Sequence, residues 1–462
     1  MKSISGAPAS AVAHALSAGE IFHRTIERRA IEAVNWGVPA VNTDRMHLAL
    51  KGAGGDWNQI AIMPKLQNWK NQTLTPNADL IYLLPFINTK DAGPIVLEIP
   101  PADDGSITGS IMDCWQGALE TVGPAGADKG KGGKYLLLPP DHKGSVPDDY
   151  IALQSSYFEN YALLRSVLGG SGADALAKAV IYANRIKLYP LAQAAKPPQT
   201  KFVDVSDIVF DSTIPYDLRF FESLDRIVQN EPWLERDKVM VDMLRSVGIE
   251  KGKPFGPDAQ QKEILVAAAR EARAYFNLRF ETSFPPYYEG RQWVVVAVPE
   301  VLETMPTLFE APDRYSVDGR GLMYYYAFAS EKHLGGGQFY LFTLRDAAGD
   351  FLDGGKTYRV NVPANVPVKQ YWSGVPYDRA THTLYRDVPH VGVGSQTKGL
   401  QTNADGSVDL YTGPAAPPGK DSNWIPTKPN SLFEFCIRFY GPDEPLFDKS
   451  WKLPDVVLAA AQ

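Results

Sequence analysis

From about Arg291 to Tyr440 the chain breaks into seven short runs: WVVVAV, GLMYYYAFAS, QFYLFTL, YRVNV, HTLYR, VDLYTG and LFEFCIRFY, with Gly, Pro, Asn or Asp near their ends. Runs of strand length, closely spaced and divided by turn residues, predict an antiparallel sandwich or jelly roll. The same texture runs from about residue 56, through IYLLPF (81–86), PIVLEIP (94–100), SITGSIMDCW (106–115) and KYLLLPP (134–140). No helical pattern separates these runs, so antiparallel sheets are expected rather than βαβ units.

Helical periodicity occupies the remainder. Ala9–Trp36 reads as a helix with Pro8 just ahead of it, Ile21, Ile26, Ala30 and Ala33 falling near one face. Residues 149–168 and 173–188 also read as helical, followed by amphipathic helices over 216–230, 234–249 and 258–280. In the middle one, Val239, Met243, Leu244 and Val247 share a face, Gly248 marks its end, and KGKPFGP (251–257) stops it. A chain of 462 residues exceeds one ordinary core. The expected division is an N-terminal helical segment (1–50), an N-terminal β-sandwich (51–150), a helical linker domain (151–285) and a C-terminal sandwich (286–462).

Charge and cysteine content narrow the partners. A net charge of −7 with no basic run gives nothing to track a phosphate backbone, so no nucleic acid is expected. Only Cys114 and Cys436 occur, which carries no disulfide framework. No stretch approaches the roughly 20 apolar residues of a membrane span. The N-terminus lacks a solid apolar leader, and the chain reads as cytoplasmic as given, or as periplasmic or secreted after trimming.

Several segments carry a family resemblance. TPNADLIY (75–82) and GPAGADKGKGGKYLLLPPDHKGSVPDDY (123–150) resemble domain of unknown function 1254. FFESLDRIV, EPWLERD and LRSVGIEKGKPFGPD, within 220–258, resemble the helical insert of such two-domain proteins. YWSGVPYD (371–378), LQTNADGSVDLYTGPAAPPGKDSNWIPT (400–427) and IRFYGPDEPLFDKSWKLP (437–454) resemble domain of unknown function 1214. The resemblance implies a mainly-β fold with a helical insert: an Ig-like N-terminal β-sandwich, a central α-helical section and a C-terminal jelly-roll-like β-sandwich. It implies no reaction. Leu80 departs from the Thr that the family commonly places there.

Candidate functional residues follow from patterning. AGADKGKGGK (125–134) lacks the phosphate-loop signature and precedes a strand, so it reads as a surface loop with an anion nest as the alternative. NADGSVD (403–409) reads as a hairpin turn with Gly406 at positive φ rather than a calcium loop. None of the seven histidines stands in a metal-binding spacing, and no cofactor fingerprint occurs, so no metal and no cofactor are expected. Asp113 shares a strand face with Ile107, Ile111 and Trp115, which makes it either a carboxylate tied to an arginine or amides, or a general acid/base. Arg438 sits opposite the stripe Phe433, Phe435, Ile437 and Phe439, where it either forms a surface ion pair or orients a ligand. Trp372, Tyr377 and Trp424, with Asn423, offer stacking platforms or plug the sandwich ends.

Two functional readings result. The first is a cofactor-independent, hydrolase-like enzyme for a small organic or saccharide substrate, with Asp79, Asp113 and Tyr377 as catalytic candidates. Trp372, Asn423, Trp424 and Arg438 are its binding candidates. The second is a non-catalytic carbohydrate- or small-molecule-binding protein. Self-association is compatible with either.

Overall fold

A computed structural model describes residues 16–170, 172–327, 330–333 and 337–459. The N-terminal sandwich pairs a six-stranded sheet with a four-stranded one. The six-stranded sheet runs in the order 202–204, 59–63, 81–88, 159–167, 106–113, 118–122. The four-stranded sheet runs 187–190, 95–99, 133–138, 151–154. Ile60, Leu83, Ile95, Leu97, Tyr135, Leu137 and Leu164 fill the space between them. The C-terminal sandwich sets a five-stranded sheet (338–343, 433–440, 372–378, 383–384, with 393–394 at one side) on a four-stranded sheet (424–426, 408–413, 358–362, 457–458). Pairing is mostly antiparallel, and many sheet neighbours are distant in sequence, as 106–113 beside 159–167 and 338–343 beside 433–440. The chain is mainly β with a helical insert.

Seven helices enter the account: α1 (Ala18–Gly52), α2 (Ala173–Ala183), α3 (Leu218–Asn230), α4 (Lys238–Leu244), α5 (Ala259–Thr282), α6 (Pro299–Thr304) and α7 (Val317–Tyr326). A capping box between Ser17 and Glu20 starts α1, satisfying two orphan amide ends. From Ala33 to Thr43 every residue of α1 is buried, which requires partners all round it. α3, α5 and α7 pack against it. The resulting core lies between the inner sheets of the two sandwiches: Phe86, Met112 and Tyr161 face it from one side, and Phe342, Val375 and Cys436 from the other. The helices are thus a central layer rather than a side linker.

Several local expectations change. Residues 149–168 form strands 151–154 and 159–167, not a helix. The 159–167 strand is buried on both faces between two neighbours, so its apolar run has no alternation to betray it. Residues 173–188 divide into α2 and the strand 187–190. GLMYYYAFAS, expected as a strand, is largely α7; Phe328 and Ala329 lie outside the described residues. The first helix runs on to Gly52 through Pro39, and the part expected before Leu16 lies outside the described residues. Ile21 and Val239, placed on apolar faces, are exposed. The turn at Gly406 (φ +81°) and the left-handed stop at Gly248 (φ +89°) stand as expected.

Candidate functional site

A hairpin of the C-terminal sandwich carries the central side chain. Strands 372–378 and 383–384 pair Asp378 with Thr383, leaving residues 379–382 as the loop. Asp378 closes it: its carboxylate accepts from Ala380 N (2.8 Å) and its carbonyl from His382 N (2.7 Å). His382 itself takes φ +55°, a left-handed conformation that histidine visits more readily than most residues. Tyr325 and Phe280 surround it, their rings meeting the imidazole edge-on at 4.3 and 5.1 Å.

His382 Nδ1 lies 2.8 Å from Glu434 Oε1 and 3.1 Å from Oε2. Glu434 has no exposed surface, and Arg379 holds its other flank at 3.4 Å. Arg379 also donates to Asn277 (3.0 Å) and Glu281 (3.1 Å) of α5. In a neutral imidazole, a carboxylate accepting at Nδ1 selects the tautomer whose lone pair is on Nε2. Nε2 is buried and has no hydrogen-bond partner.

His382 lines a cleft of about 530 Å³ where α1, α5, α7, the 211–219 segment and the hairpin meet. Four arginines, Arg45, Arg219, Arg270 and Arg273, line it with Tyr216 and Tyr325. Asp217 neutralises Arg219 (2.6 Å), and Arg386 neutralises Asp211 (2.6 Å). Among the described residues, no carboxylate comes within ion-pair distance of Arg45, Arg270 or Arg273. Arg273 spends one donor on Ala380 O (2.5 Å), and Arg45 Nε is buried without a partner. Burial pushes the Tyr216 and Tyr325 phenols up, which keeps them protonated donors, and the Tyr216 hydroxyl is unpartnered. A second cavity of about 490 Å³ adjoins the first and shares Arg270, Arg273 and Tyr325. The lining offers positive charge and phenolic donors, with the buried imidazole of His382 in its wall.

Of the residues singled out by sequence, three come together just behind the cleft wall. Arg438 Nη2 donates to the carbonyls of Thr75 (3.0 Å) and Pro76 (3.3 Å), and the Tyr377 hydroxyl donates to Pro76 O (2.6 Å). Asp79 Oδ2 accepts from Ser373 Oγ (2.5 Å) and from Tyr440 OH (2.9 Å). None of the three lines the cleft; they pin the 73–79 loop, whose Leu74 does. Thr75 N donates to His382 O at 2.6 Å, so the pinned loop also supports the histidine.

The other four lie elsewhere. Asp113 Oδ1 accepts from the amides of Trp115 (2.9 Å) and Gly117 (2.8 Å). Burial raises its carboxyl, while those amides and the nearby Arg320 charge lower it. Trp372 is buried in the C-terminal sandwich core. Asn423 ties together Gln401 and Asp409, donating to both carbonyls at 2.9 Å. Trp424 Nε1 donates to Gly413 O (2.9 Å). Sequence reasoning missed His382, Glu434 and the arginines as a group. Glu434 does share the strand face that singled out Arg438, which was the available signal. Among the described residues no cluster of three or more His, Cys, Asp or Glu is placed to hold a metal ion.

Residues 57–190 match the family described as protein of unknown function (DUF1254), and residues 337–444 match protein of unknown function (DUF1214). The chain belongs to the two-domain DUF1254/DUF1214 family. In this DUF1254/DUF1214 protein the pinned loop comes from the first domain and the Glu434–His382 pair from the second. Arg45, Arg219, Arg270, Arg273 and Tyr325 fall outside both matched segments, so the cleft needs the helical layer as well. A crystal structure of the VPA0106 protein from Vibrio parahaemolyticus shares the fold, with a TM-score of 0.54 at 16% identity over 94% of this chain and 100% of that one. An uncharacterised protein from Burkholderia cenocepacia aligns with a TM-score of 0.40 at 11% identity over 95% of this chain and 96% of that one. No curated protein matches the chain.

Proposed function

We propose that this protein is a cofactor-independent enzyme that binds a small organic anion in the arginine-lined cleft and removes a proton with His382. The observation that carries the reading is the buried Glu434–His382 pair at a cavity whose Arg45, Arg270 and Arg273 have, among the described residues, no carboxylate within ion-pair distance. Guanidinium groups would hold a carboxylate through forked hydrogen bonds. The imidazole, with Nδ1–H committed to Glu434, would accept a proton at Nε2 from the ligand or from a water beside it. Glu434 then faces an imidazolium and stabilises it without taking up the proton itself. A hydrolytic outcome requires that water; an isomerisation requires the proton to return to another atom of the ligand.

A non-catalytic binding protein is the second reading, and the near-complete burial of His382 favours it, because the ring is well placed simply to brace the hairpin. The two separate experimentally. Benzoate, phthalate and citrate are titrated calorimetrically into the wild type, Arg273→Ala and His382→Asn. Arg273→Ala should weaken the best ligand at least about tenfold, the loss of one charge-assisted contact. Turnover of the matching carboxylate esters or hydroxy acids should vanish in His382→Asn while binding persists. Wild-type affinity in Arg273→Ala removes the site from both readings.

A further inference from the structure

On the far side of the 73–79 loop lies a second place where positive charge is buried without an answer. Arg438 is only 3% exposed. Its Nη2 is satisfied by the Thr75 and Pro76 carbonyls, but Nε and Nη1 are buried and have no partner. Arg165, on strand 159–167 of the other sandwich, likewise has a buried, unpartnered Nε. Neither guanidinium lies within ion-pair distance of a carboxylate among the described residues. Both bear on one phenol: Arg438 Cζ is 5.3 Å from the centre of the Tyr340 ring, and the Arg165 charge also acts on the Tyr340 hydroxyl. Tyr82 stands 5.9 Å from Arg165 Cζ, and Tyr377 5.5 Å from Arg438 Cζ.

The nearby acids are already engaged or suppressed. The Asp79 carboxylate accepts from Ser373 and Tyr440. Burial raises the Glu331 carboxyl and the Arg165 charge opposes it, without an ion-pair contact between the two. Two permanent cations therefore share a low-dielectric junction with three unpartnered guanidinium nitrogens. Arg165, Tyr340 and Asp79 are each only partly buried, so solvent reaches the junction from one side.

We propose that Arg165 and Arg438 form a second anion site, between the two sandwiches, that takes a small aromatic or aliphatic monocarboxylate. The carboxylate receives the unpartnered N–H groups of both arginines, and the ligand's body packs on the tyrosine rings around them. The site is separate from the arginine-lined cleft and uses none of its residues. Occupation joins a side chain of the first domain to one of the second through a shared ligand.

Benzoate is the probe. Calorimetric titration of the full chain should give two sites per molecule: one lost in Arg270→Ala/Arg273→Ala and the other, independently, in Arg165→Met. Arg165 makes no ion pair among the described residues and has the Tyr82 hydroxyl as its side-chain hydrogen-bonding neighbour, so the methionine variant should fold; Arg165→Lys, which keeps the charge without the fork, should retain weaker binding. The second site should lose at least about tenfold in affinity in Arg165→Met. The proposal is overturned if benzoate binds only one site and that site disappears in the cleft variant, or if Arg165→Met binds two equivalents with unchanged affinity. Failure of the cleft reading alone would leave one site that responds to Arg165 and not to Arg273.

Discussion

Glu434 accepts from His382 on one flank and Arg379 on the other while having no exposed surface. Removing one member of such a buried network costs about 3–5 kcal/mol, because the remaining charge stays out of water unpaired. Arg379 retains Glu281, so Glu434→Gln should fall near the lower end, about 3 kcal/mol by urea denaturation. A loss under about 1 kcal/mol would mean that the pair is not buried as a charge. At this scale the sequence was readable for residues inside contiguous patterns. Arg438 stood opposite a four-residue apolar stripe, and Asp79 and Tyr377 sat within distinctive text. His382 and Glu434, 52 residues apart, meet only through the strand pairing of Tyr377 with Glu434. Neither neighbour in sequence signals the other. The cleft arginines are less legible still, since they come from α1, α3 and α5.

The 73–79 loop is the element on which both anion sites depend. Thr75 occupies φ +35°, a conformation kept by the bonds around it: its N to His382 O, its Oγ1 to Tyr326 O, its carbonyl from Arg438. Tyr377→Phe deletes the hydroxyl that holds Pro76 and should cost about 1 kcal/mol of stability. It should also weaken carboxylate binding in the cleft several-fold, because Leu74 and the His382 backbone lose their support. Trp424→Phe removes a comparable bond, to Gly413, and should lower stability similarly while leaving carboxylate affinity unchanged. Equal ligand effects in the two variants, measured by calorimetry, would show the loop to be indifferent to its pins. Among elements, the 433–440 strand was legible because one face is wholly aromatic or aliphatic. The 159–167 strand was not, because NYALLRSV is buried on both faces and reads as helical.

For the whole molecule, one buried acid pair contributes to the pH response near neutrality. Glu231 accepts from the amides of Phe158 (2.7 Å) and Glu159 (2.9 Å), and Asn230 donates to Glu159 (2.9 Å). Burial first, and then the Glu231 charge, push Glu159 up to about 8; burial pushes Glu231 up to about 7. Both folded values exceed the unfolded carboxyl near 4.5, so the native state binds more protons between them. The stabilisation is fully present below the unfolded value and is lost as pH rises through 7 and 8. Stability by urea denaturation should fall by roughly 4 kcal/mol from pH 6 to pH 9, and Glu159→Gln should remove more than half of that fall. An unchanged slope in that variant would assign the pH response to other groups. The burial of α1 has a consequence in time. Its Asn35 is bonded to Asp318, and its packing partners extend to α7 at Val317–Tyr326. At roughly 5–20 residues per second, a ribosome needs on the order of 15–60 s to deliver the last of those partners. Through that interval a helix destined to be enclosed on every side travels beside the ribosome incompletely covered, a client for whatever chaperone binds apolar nascent chain.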